Sequence, residues 1–143
     1  MKRLVYIATR LSDFDESLVD VVKGDVVGHS GNLDGIYEEG LNITAIMTEK
    51  PLEEITHLDF FRSSGSDFRD PKSGGFDTKG KDITYDFLFE AYDNKYYPSK
   101  CPNLGVDFSF KIGDELIADV PLTIGNKGYN KGYGKYFIYE IKE

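Results

Sequence analysis

Apolar and polar residues alternate through much of the second half of the chain. Ile83, Tyr85, Phe87, Phe89 and Ala91 are interleaved with Thr84, Asp86, Leu88 and Glu90. Val106, Phe108, Phe110 and Ile112 are interleaved with Asp107, Ser109 and Lys111, and Leu116, Ala118, Val120, Leu122 and Ile124 with Ile117, Asp119, Pro121 and Thr123. A period of two puts one set on each face of a strand, so these runs predict three strands. The last two meet at Gly113-Asp114 and predict a hairpin. A two-residue loop there would set Phe110 opposite Ile117 and mix the faces. A three-residue connection or a bulge keeps Phe110 opposite Leu116 and Lys111 opposite Glu115. Pro121 has no N–H to donate, so its side of the strand should meet an edge or a bulge.

The first half is less regular. Leu4 to Ala8 is a short apolar run rich in β-formers and predicts a buried strand. Ser12 with Asp15 three residues on is close to a capping box, and Asp13, Asp15 and Glu16 would fill a first helical turn. Phe14, Leu18, Val21 and Val22 then follow a helical stripe up to Lys23 and Gly24, which predicts a helix over about 13–23. Val26 and Val27 make a short strand, and 28–40 reads as a loop with four glycines. Leu41 to Met47 alternates with Leu41, Ile43, Ala45 and Met47 on one face and predicts another strand. Residues 51–62 are ambiguous: Pro51 with Glu53 and Glu54 resembles a helix start, while Thr56, Leu58 and Phe60 alternate. The preferred assignment is a turn at 50–53 and a strand over about 54–61, hairpinned to the one before. Residues 63–82 form a long polar stretch, and such loops are often functional or mobile.

Tyr136 to Ile141 is apolar on both faces, which places this strand near the middle of a sheet. The sum is a mostly β domain spanning 1–143, α+β at the margin. About eight antiparallel strands would build a β-sandwich or a partly open barrel, with the one short N-terminal helix plugging an end.

Composition narrows the classes of function. The chain has 143 residues, 40% of them hydrophobic and 14% aromatic, enough for one core. Its 25 acidic and 17 basic residues give a net charge of −8, which disfavours general nucleic-acid binding and would attract a basic partner surface. The single cysteine, Cys101, excludes an internal disulfide and fits a reducing compartment. The apolar run after Met1-Lys2-Arg3 is too short for a signal peptide, and no stretch approaches the ~20 apolar residues that span a bilayer. A cytoplasmic chain without membrane contact is the expectation.

One segment stands out from the acidic background. Asn126-Lys127-Gly128-Tyr129 repeats as Asn130-Lys131-Gly132-Tyr133 and is followed by Gly134-Lys135. Read as the connection between two strands, it offers glycine N–H groups, the cations Lys127, Lys131 and Lys135, and Tyr129 and Tyr133 for stacking. Its spacing matches no phosphate-loop pattern. The bland alternative is a surface loop whose lysines keep an edge soluble. Tyr92, Tyr96 and Tyr97 form a second aromatic group, suited to an interface or to packing over an open end.

Other residues carry weaker signals. Gly28-His29-Ser30-Gly31 faintly echoes a nucleophile elbow but lacks its spacing, with Asp34 nearby; a glycine-rich turn explains it better. His29 and His57 are the only histidines, and with one cysteine no Cys/His zinc cluster exists; His57 reads as a structural polar residue. Lys100 beside Cys101 could activate the thiol, but a proline-fixed loop is the simpler account. Asp67, Asp70, Asp77 and Asp82 supply oxygen ligands for calcium without EF-hand spacing, and a solvated loop is the alternative. No other cofactor is implied.

The residues favour a non-enzymatic protein-binding module, a small acidic cytosolic inhibitor or adaptor of the kind viruses and mobile elements carry, engaging its partner through tyrosine-rich loops. A small-ligand or carbohydrate-binding β-sandwich assisted by calcium is the alternative. An enzyme with dispersed acid–base residues comes third.

Overall fold

The computed structural model describes residues 2–31, 41–61, 74–77, 83–87, 104–108, 110–130 and 134–142. Among them run nine strands: β1 (Arg3–Phe14), β2 (Asp20–Val21), β3 (Val26–Ser30), β4 (Leu41–Thr48), β5 (Ile83–Phe87), β6 (Leu104–Phe108), β7 (Glu115–Ile117), β8 (Leu122–Asn130) and β9 (Gly134–Ile141). A 3-10 turn at Leu52–Glu54 and the single-turn helix α1 (Leu58–Phe61) follow β4. The strands form one antiparallel sheet in the order β2-β8-β9-β1-β4-β6-β5, curled into a half-barrel. This is the partly open barrel of the two expected architectures.

Strand β1 makes the curl. Arg3 to Thr9 pair with β4, while Leu11 to Phe14 pair with β3, so one strand replaces another along the same edge. Arg10 lies at the switch, inside a bulge between Ala8 and Leu11, with a left-handed φ of 65°. A bulge adds a residue and bends the strand, as barrel corners require. Close approach of β3 to this bent stretch needs residues without Cβ. A Cβ at Gly28 would lie 2.5 Å from the Asp13 carbonyl oxygen, and one at Gly31 2.6 Å from the Ser12 nitrogen. The Gly-His-Ser-Gly sequence is therefore strand rather than turn over 28–30, its glycines serving sheet packing.

The inner face holds the main core. Tyr6, Leu41, Ile43, Phe76, Phe110, Leu116, Phe137 and Tyr139 are among its buried members. Phe76 meets Phe137 and Tyr139 edge-on, with ring centroids 6.1 and 5.3 Å apart, and Tyr6 stacks on Tyr139 at 5.2 Å. Each large apolar side chain buried this way contributes about 1.5–3 kcal/mol. The outer face is smaller: Val5 and Ile7 of β1, Ile46 of β4 and Tyr136 and Ile138 of β9 pack under Ile55 and Phe60. As expected, β9 is covered on both faces and lies between β8 and β1.

Four local expectations fail for physical reasons. The predicted helix over 13–23 is the end of β1, a turn and β2. Val19, Val21 and Val22 lose side-chain freedom in a helix, and Asp15 and Ser17 satisfy each other in a turn, Ser17 N–H and Oγ both bonding Asp15 Oδ1 at 3.0 and 2.6 Å. Gly24 ends no helix; with φ 96° it sits in the tight turn closed by Asp25 N–H to Val22 O. No helix therefore plugs the barrel at this end.

The predicted strand over 54–61 is instead the 3-10 turn and α1, so the Pro51 start signal outweighs the alternation. Leu58 is exposed, while Ile55 and Phe60 are buried. The predicted hairpin between 106–112 and 116–124 does not form, because β4 and β5 occupy both edges of β6. Glu115 and Leu116 face His29 and Gly28 of β3 instead of Lys111 and Phe110. The run 116–124 is broken into β7 and β8, with Pro121 exposed between them. Finally, the predicted loop after Ile124 is largely strand: β8 continues to Asn130, paired with β9.

Candidate cleft beside the β8–β9 hairpin

A bulge decides which side chains of β8 face inward. Ile124 stands opposite Tyr139, and Lys127 opposite Phe137, so β8 spends one more residue than β9 on this step. The extra residue changes the alternation of β8. Lys127 and Tyr129 thereby share the face of Phe137 and Lys135, and Tyr129 and Lys135 are direct cross-strand partners. The bulge itself is anchored by Asn126, whose Nδ2 donates to the carbonyls of Glu53 (3.2 Å) and Ile55 (2.6 Å).

Against this face stands the turn that joins β1 to β2. Lys127 Nζ donates to the carbonyl oxygens of Glu16 and, at 3.3 Å, Leu18. It ties hairpin to turn and is spent on backbone acceptors rather than offered to an anion. Between the two elements lies an open cleft of about 570 Å³, lined by Asp13, Phe14, Asp15, Glu16, Ser17, Gly128, Tyr129 and Lys135. Three acidic residues and Ser17 line one side. Tyr129, 60% exposed, and the exposed Lys135 form the other. Phe14 closes the floor, its ring edge-on to Phe137 at 5.9 Å.

The carboxylates are held differently. Asp13 Oδ1 lies 2.7 Å from His29 Nδ1. The hydrogen bonds from the Ser17 hydroxyl and then its N–H hold the Asp15 carboxyl below its ordinary 3.8, assisted by the charge of Lys127. Asp15 N–H donates to Val27 O at 3.0 Å, fixing the start of the turn to β3.

Of the residues marked out in the sequence, Lys127, Tyr129 and Lys135 come together here, although in strands rather than in a loop, and Lys127 in a structural role. Lys131, Tyr133, Tyr92, Tyr96, Tyr97, Asp34, Lys100 and Cys101 lie outside the described residues, as do Asp67, Asp70 and Asp82. Asp77 is described; its N–H donates to Ile117 O at 2.9 Å beside the bridge of Phe76 to Ala118. Among the described residues no group of three or more His, Cys, Asp or Glu side chains could hold a metal ion. Ser30 is fully buried in β3 and sits nowhere near the exposed position that an elbow nucleophile requires. His57 Nδ1 lies 3.0 Å from Tyr136 Oη, a structural contact on the outer face. Among the described residues no helix is long and apolar enough to cross a membrane.

The acidic side of the cleft is not visible in the sequence pattern. Asp13, Asp15 and Glu16 look like the first turn of a helix, and only the pairing of β1 with β9 and of β9 with β8 brings them to Tyr129. Set beside known proteins, the chain matches no family model, no curated protein and no solved structure.

Proposed function

We propose that this protein is a non-enzymatic protein-binding module, a small acidic inhibitor or adaptor, and that it engages its partner at the cleft between the β1–β2 turn and the β8–β9 hairpin. The observation that carries the reading is Tyr129, held at 60% exposure on the rim of a cleft whose two walls are tied together by Lys127. Tyrosine combines a large apolar ring with a polar tip at small entropic cost and is enriched among residues that dominate interfaces. A rim fixed by backbone hydrogen bonds loses little freedom on binding.

The test is capture by the immobilised protein from cytosolic extract, with Tyr129→Ala alongside. The expected result is a partner that the variant no longer retains and whose intact mass is unchanged after incubation. A partner retained equally by the variant would remove the cleft as contact site, and a chemically altered partner would point to an enzyme. The cleft volume also favours a second reading, a small-ligand site, since about 300–1,000 Å³ is usual for one. Loss of capture on adding a low-molecular-weight extract fraction would support it.

A further inference from the structure

We draw no further inference here: the strongest candidate, the exposed apolar surface of Val19, Val22 and Val26 around β2 and the turn into β3, carries nothing because nothing in the structure shows what covers it.

Discussion

The two faces of the half-barrel are built on different plans. Among the described side chains, the inner face gathers residues from seven strands, β1, β2, β3, β4, β7, β8 and β9, together with Phe76 and Phe110, around a cluster of aromatic rings. Among the described side chains, the outer face takes its apolar residues from the three central strands and covers them with one local segment, through Ile55, Phe60 and the half-buried Leu52. Beyond that patch the outer face turns polar while staying buried: Thr9 Oγ1 donates to Asn42 O at 3.3 Å, and Thr44 Oγ1 to Asn42 Oδ1 at 3.2 Å. The inner core is a property of the whole chain. The outer one is a segment docked on a finished sheet, and it should be separable.

Phe137 and Phe60 are both buried and test that difference most directly. Phe137→Ala opens a cavity in the aromatic cluster and should cost about 3–5 kcal/mol in chemical denaturation. Phe60→Ala should cost less, about 2 kcal/mol, because the 52–61 segment can open locally. Hydrogen exchange should then rise in that segment without rising in β9. Equal costs, with exchange rising everywhere, would show the two faces to be one cooperative unit.

Tyr139→Phe is the next largest expected effect. Its hydroxyl donates to the Gly74 carbonyl at 2.5 Å inside the inner core, and leaving that carbonyl without its donor should cost about 1–3 kcal/mol. Burial, with Tyr6 nearby, pushes the Tyr139 hydroxyl well above its ordinary 10.0. The folded state thus favours the neutral phenol. That stability is complete below pH 10 and is lost as pH rises through the higher folded value. A melting-temperature series from pH 8 to 12 should fall at the alkaline end, less steeply in Tyr139→Phe; parallel curves would assign the fall to other groups.

The smallest effect lies at the hinge between the faces. Asn126→Ala removes two hydrogen bonds from the bulge to the outer segment and should cost about 1 kcal/mol, with exchange again rising first at 52–61. An unchanged exchange pattern would mean that apolar contact alone holds the segment.

The contrast also explains what could be read from the chain. Strands β1, β4 and β9 were legible because their apolar patterns report burial on one or both faces, a local consequence of where they lie. The turn at 15–18 was not, because aspartate, serine and glycine serve helix caps and tight turns alike, and the choice fell to the valines and to pairing with β3 and β8. The absent hairpin after Phe108 failed for a non-local reason: the alternation of 106–112 is that of a strand, but it cannot say that both edges of β6 are taken. Half of the cleft was visible as the lysines and tyrosine of the Asn-Lys-Gly-Tyr repeat. Its acidic half needed a sheet to bring residue 15 to residue 129.

Strand β9 lies at the middle of the sheet, and its neighbour β1 comes from the other end of the sequence: Tyr6 stands opposite Tyr139. That central ladder closes across a separation of 133 residues, so its loop-closure entropy must be met before any of its hydrogen bonds or ring contacts can form. Chains whose contacts are mostly this distant reach the native state in milliseconds to seconds rather than microseconds. In the interval β1 and β4 can pair early, but the edge of β1 reserved for β9 stays open, an apolar strand edge exposed until the last strand arrives.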